Sequence, residues 1–309
     1  MPKSEISHGQ TPASWALKGA LGVGVLSVSS AAILIKLAPA PASAIAFWRL
    51  VLTIGILAPW AIKHRVSWKT VGREAKWLIL SGIFLALHFL FWIRSLSLTT
   101  VAVSTALVSI HPVLVALWSR LVGHRAIRRQ VYVGGILVLL GLIVVTLASG
   151  LGWQHLWGVF DAFLGALFAA GYLLVGQHSR QRLRTTHYAV GVYAVAALLL
   201  GSVQWARYHQ LGPFTPTIWL LYAAMAIFPT LGGHTLFNWL LRYVPATEIS
   251  LAFLGEIAGA SILAWIVLGQ VPTPTSLTGV VLILGGLVVT QWPATSALLS
   301  RGSHRGAGP

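Results

Sequence analysis

Along this chain apolar residues do not alternate with polar ones; they gather into runs of about 20, the length a helix needs to cross the hydrocarbon core of a bilayer. Ten such runs lie at approximately 15–37, 44–62, 76–93, 101–120, 130–148, 157–178, 187–206, 217–240, 246–267 and 276–292. Runs this long and this uniformly apolar predict helices, because they lack the period-two alternation of barrel strands. Proline and glycine punctuate several gaps: Pro39 and Pro41, Gly150 and Gly152, Gly212-Pro213, Pro245, and Pro272 with Pro274. The pattern therefore predicts an all-α membrane protein of ten transmembrane helices.

The pattern also occurs twice. The block Ser104 to Gly123 is echoed by Ser250 to Gly269 at an offset of 146, and Gly135 to Val145 by Gly279 to Val289 at an offset of 144. Between the matched blocks, the first copy carries His124-Arg125-Ala126-Ile127-Arg128-Arg129 and the second carries the uncharged Gln270-Val271-Pro272-Thr273-Pro274-Thr275. Equivalent loops of unlike basicity predict opposite sides of a membrane. The expected organisation is a tail over 1–14, a five-helix repeat over 15–150, an inverted five-helix repeat over 151–293 and a disordered tail over 294–309. Paired inverted halves are how many secondary transporters are built, with a solute site between them.

Composition agrees with the membrane setting. Hydrophobic residues make up 57% and charged ones 8%, against roughly 25% charge in a soluble domain. The net charge of +16 does not point to nucleic acid, since the basic residues sit in short gaps between apolar runs and read as orientation signals. With the N-terminus inside, seventeen Lys and Arg fall on the inner side against three, Lys36, Arg94 and Arg207, on the outer. Both termini are thus expected in the cytoplasm, and the location expected is a bacterial inner membrane. Lys18 and the "APASA" ending at Ala44 imitate a signal peptide, but the apolar run exceeds the usual length of about 7–15 residues and Lys36 lies between it and the cleavage site. No cysteine is present, which removes disulfides, thiol catalysis and Cys-ligated metal.

Few residues could carry chemistry. Of the five acidic residues, Glu5, Glu74 and Glu248 read as solvated. Glu256 lies mid-helix in the ninth run, where a charge costs about 2.5–3.5 kcal/mol on insertion scales. It must face protein or water, either tying helices together or handling substrate or protons. His111, at similar depth, is the alternative proton carrier. Arg49 and Asp161 share a depth near the outer face; they read either as a pair shaping an outer gate or as two side chains snorkelling separately. His88 and Trp92 share a face of the third run, and Thr230, His234 and Asn238 form the matching face of the eighth. Phe168 and Tyr172 fall on one stripe of the sixth run with Asp161. His88, Trp92, Phe168, Tyr172, His234 and Asn238 are thus the candidate substrate-binding residues, with interhelical packing as the plainer reading of each. The spread of the histidines, with no second ligand at i+3 or i+4, predicts no metal site. No phosphate loop, H-E-x-x-H pair or G-x-S-x-G elbow occurs, so no cofactor or enzyme signature is read.

The segment "LGEIAGASILAWIVLGQVPTPTSLTGVVLILGGLVV" resembles the closing stretch of the EamA family, within the drug/metabolite transporter superfamily. Glu256 matches the family's glutamate, Trp48-Arg49 its arginine early in helix 2, and Pro112 its helix-4 proline. Ile257 stands in place of the usual proline, and Gln270 and His124 in place of the two L-G-E glutamates. The resemblance spans roughly 15–292, and the bacterial aromatic-amino-acid exporters of the YddG type come closest by overall impression. It implies a ten-helix inverted repeat around a central cavity, exporting small metabolites by alternating access.

The expected partners are accordingly a small-molecule substrate and the lipid bilayer, with no nucleic acid. The expected substrates are aromatic or other neutral amino acids or similar metabolites, with other metabolites or drugs as the alternative and a lipid-directed membrane enzyme as the rival from another class. Proton coupling and uniport both stay open. So does the choice between monomer and homodimer, since Gly134, Gly135 and Gly141, and Gly279, Gly285 and Gly286, permit close helix contact within or between chains.

Overall fold

A computed structural model describes residues 13–303 apart from 65, 124–128, 149–151, 181, 241–242 and 244–245. The described residues form helices and connecting turns only. In chain order these are α1 (Ser14–Ser29), α2 (Ala31–Leu37), α3 (Ala42–Lys63), α4 (Trp68–Leu98), α5 (Val101–Val108), α6 (His111–Gly123), α7 (Arg129–Ala148), α8 (Trp153–Arg180), α9 (Thr185–Tyr208) and α10 (Pro216–Met225). A π-helical stretch (Ala226–Thr235), α11 (Leu236–Leu240), α12 (Ala246–Leu268) and α13 (Pro274–Ser303) follow. Each apolar run of the sequence falls on one helix or on consecutive ones. Among the described residues, seven helical stretches are long and apolar enough to cross a membrane, and three further apolar helices are shorter. The chain is a multi-pass membrane protein. The basic loop 124–128 and Arg242 lie outside the described residues, and α13 continues helical into the stretch expected as a disordered tail.

Three of the runs are interrupted, each for a legible reason. Between α1 and α2, the Ser29 and Ser30 hydroxyls donate back to the Val25 and Ser27 carbonyls at 2.8 and 2.7 Å, a back-bonding that bends helices. Between α5 and α6, Pro112 has no N–H for the Val108 carbonyl; the His111 ring donates to that carbonyl from Nδ1 at 3.1 Å. In the π-helical stretch, Pro229 cannot serve the Met225 carbonyl, and Thr230 Oγ1 donates to it at 2.8 Å. In both proline breaks a neighbouring polar side chain satisfies the backbone acceptor, which apolar surroundings would leave exposed at a cost of several kcal/mol.

Helix α7 packs along α13, and α4 along α8, more extensively than any other described pair; α3 lies along α9, and α1 against the π-helical stretch and α12. The α7–α13 contact is made backbone to backbone. A Cβ at Gly141 would stand 2.6 Å from the Gly279 carbonyl oxygen, and one at Gly134 would strike the backbone around Gly286. The same helix exposes Ile136, Leu139, Leu140, Ile143 and Leu147 on its other face, a charge-free stripe suited to lipid.

The α4–α8 pair is clasped at both ends. At one end Glu74, 1% exposed, accepts from Ser179 Oγ at 2.7 Å and from Arg182 Nη1 at 3.2 Å. At the other, Arg94 Nε donates to Asp161 Oδ2 at 2.6 Å. Glu74 is therefore buried and paired, not solvated as its place near a helix end suggested.

Candidate functional site

Polar side chains of α3, α4, α8, α9 and the π-helical stretch converge, with Glu256 of α12 in electrostatic reach. Arg49 of α3 is fully buried. Its Nε and Nη2 donate to Thr230 Oγ1 at 3.1 and 3.0 Å, and its Cζ lies 4.3 Å over the Phe89 ring. Thr230 can accept both because its own proton goes to the Met225 carbonyl, so the π-helical stretch around Pro229 orients the arginine. Glu256 and Tyr193 lie within electrostatic reach of the guanidinium. Arg49 Nη1 has no hydrogen-bond partner among the described residues.

Around this arginine the candidate residues are placed as follows. His88 donates from Nδ1 to the Gly165 carbonyl of α8 at 2.9 Å and stacks on Trp92, with centroids 5.8 Å apart and planes inclined by 10°. The Trp92 indole N–H is buried without a partner among the described residues. His234 meets Phe89 edge-on at 5.9 Å. Asn238 Nδ2 donates to the Tyr172 hydroxyl at 3.2 Å, and Tyr193 and Thr235 hydroxyls lie 3.1 Å apart. His111 reaches Phe253 edge-on at 5.4 Å while its Nδ1 is engaged by the Val108 carbonyl. Glu256 is 8% exposed. Among the described residues no three His, Asp or Glu side chains group as metal ligands.

Two expectations need correction. Arg49 and Asp161 do not form a pair: Asp161 takes Arg94 as its partner, and Arg49 turns inward to Thr230 and Phe89. Depth along two helices was legible, but not the azimuth, and the faces of α3 and α8 that carry these residues look in different directions. Phe168 does not join His88 and Trp92; it packs on Phe91 at 5.6 Å and Phe84 at 6.3 Å, on another face of α4. Phe89, Tyr193 and Arg94 were missed, although Arg94 lies two residues beyond Trp92 on the same helix and its charge was a signal.

At the end of the bundle where α2, the start of α3 and the ends of α4 and α9 meet, a vestibule of about 530 Å³ opens. Lys36, Arg94 and Arg207 line it, the three basic residues predicted for the outer side, and Ile45 and Leu90 belong to its wall. Lys36 Nζ donates to the Thr99 carbonyl at 3.0 Å, and Arg207 lies over Tyr208.

Comparison with known proteins places this geometry. The profile of the EamA-like transporter family matches the chain twice, over residues 14–147 and 156–292. An uncharacterised transporter of Archaeoglobus fulgidus is 26% identical over 225 residues, covering 72% of this chain and 78% of that one. A solved structure, titled only as the crystal structure of a protein, superposes with a TM-score of 0.63 at 17% identity, covering 90% of this chain and 98% of that one. At that identity the likeness concerns the fold alone.

Proposed function

We propose that this chain, which belongs to the EamA-like transporter family, is a secondary transporter that exports amino acids, aromatic or otherwise neutral, or similar small metabolites from the cytoplasm by alternating access. Its membrane is the bacterial inner membrane, crossed by ten spans in two inverted halves with both termini in the cytoplasm. The observation that carries the reading is that both halves contribute to one buried polar cluster. Arg49, His88, Trp92 and His111 come from the first half, and Tyr172, Thr230, Asn238 and Glu256 from the second, with the half-buried His234 against Phe89. A site at the seam between two repeats is where rocking of one half against the other exposes a solute to each side in turn.

The packing supports a two-fold repeat. Exchanging each predicted span for the one five places on maps the α4–α8 contact onto that of α1 with the π-helical stretch, and maps α3–α9 and α7–α13 onto themselves. Within this reading Glu256, in electrostatic reach of Arg49, and His111, whose Nδ1 donates to the Val108 carbonyl while Nε2 is the position that takes up a proton, are the groups that could exchange protons.

Solute counterflow in proteoliposomes tests the function, using labelled amino acids, nucleosides and cationic drugs without ATP. Accumulation of amino acids is expected. Flux of nothing, together with conversion of a lipid, would favour a membrane enzyme instead.

A further inference from the structure

Two donors in the central cluster are buried and without a partner among the described residues, Arg49 Nη1 and Trp92 Nε1. Neither side chain has an acceptor of its own, and arginine stays protonated in any protein environment, so only an acceptor can satisfy them. His88 links them: it stacks on Trp92 and lies within electrostatic reach of Arg49, and Arg49 itself lies over Phe89, three residues before Trp92 on the same helix. Thr230 engages Nε and Nη2, which fixes the guanidinium and leaves Nη1 as the free edge of the fork. Glu256 is in electrostatic reach but makes no hydrogen bond to Arg49 among the described residues. A buried cation without a hydrogen-bonded counter-charge is held at a cost that an incoming anion would relieve.

The approach to this spot carries the same sign. The vestibule lined by Lys36, Arg94 and Arg207 has no carboxylate in its wall among the described residues, and Asp161 is turned onto Arg94. Ile45, on the vestibule wall, is one helical turn from Arg49, and Leu90 is next to Phe89. A cleft of single sign with apolar walls focuses its field and concentrates solutes of opposite charge.

From this geometry we infer that the transported solute carries a carboxylate, and that Arg49 Nη1 and the Trp92 indole N–H donate to it. The inference rests on the transport reading and narrows it: amines and cations without an acid group are not substrates. Charge-assisted pairing of this kind makes Arg49 the anchor and Trp92 the weaker second donor.

The test uses the full chain in two assays, thermal stabilisation by solute in detergent and counterflow in proteoliposomes. The probes are phenylalanine, its decarboxylated amine, its methyl ester and 3-phenylpropionate. For wild type, phenylalanine and phenylpropionate are expected to stabilise and to compete, while the amine and the ester do neither. Arg49→Gln should weaken the two acids by about 10- to 100-fold. Trp92→Phe, which keeps the ring and removes the N–H, should weaken them by roughly fivefold and serves if Arg49→Gln does not fold. An amine or ester that competes as well as the acid overturns the inference, as do Arg49→Gln and Trp92→Phe variants that bind both acids as tightly as wild type. Stabilisation by the acids without flux would keep the anchor and sink the transport reading alone; neither stabilisation nor flux would sink both.

Discussion

Arg49 and Thr230 depend on one another at the residue scale. The hydroxyl that closes the Met225 carbonyl behind Pro229 is also the acceptor that orients the guanidinium. Thr230→Val, nearly the same shape, removes both roles and should destabilise the protein by about 1.5–3 kcal/mol, the worth of a hydrogen bond to a charged group. Thr230→Ser should recover most of that loss in thermal unfolding. Arg94 and Asp161 make an unequal pair, since Arg94 is 51% exposed and Asp161 1%. Arg94→Ala strands a buried carboxylate and should cost about 3 kcal/mol or more. Asp161→Asn frees an arginine that water can solvate and should cost about 1 kcal/mol. Glu256→Gln should abolish any dependence of flux on a pH gradient, whereas His111→Ala should leave that dependence in place and lower the melting temperature. Wild-type flux that ignores the gradient would make the protein a uniporter and give Glu256 a structural role. Sequence depth was enough to single out Arg49, Glu256, His88 and His234, because an ionisable group in a long apolar run must have a reason to be there. It could not say that Arg49 turns toward α4 and Thr230, since which face of one helix meets which face of another is set by packing across the whole bundle.

At the scale of elements, the apolar runs placed the helices well because length and hydropathy alone decide what can sit in lipid. The interruptions were less legible. Pro112 and Pro229 were visible, but a proline in a membrane helix is tolerated or not according to what serves the freed carbonyl, and here His111 and Thr230 do so from positions that look like candidate ligands. The glycines of α7 and α13 show the opposite case. Their spacing read equally as a surface for a second chain, and the structure uses Gly134, Gly141, Gly279 and Gly286 inside one chain. Gly141→Val pushes a side chain into the Gly279 backbone, which cannot move aside as a flexible side chain would, and should destabilise by about 1–3 kcal/mol. Gly285, with nothing within 4 Å of its would-be Cβ, is the control: Gly285→Ala should change stability by less than about 0.5 kcal/mol.

For the whole molecule, the repeat in the sequence has a counterpart in a family profile that matches twice and in a contact pattern that survives exchange of the halves. Because the chain has no cysteine, single cysteines report topology directly. Those replacing Ser97 and Thr273 should label from outside the cell and one replacing Ser67 only from inside; labelling of 97 and 273 from opposite faces would rule out the inversion. The solute path depends on both halves meeting at the centre, and counterflow tests that most directly. Initial rates are compared for wild type, for His88→Phe from the first half, for Asn238→Leu from the second, and for Phe168→Leu at the α4–α8 interface. The expected result is amino-acid accumulation by wild type, a loss of about tenfold or more in both central variants, and a near-normal rate at position 168. Wild-type vesicles that accumulate no solute, or central variants that match wild type while Phe168→Leu fails, would contradict a central site shared by the two halves.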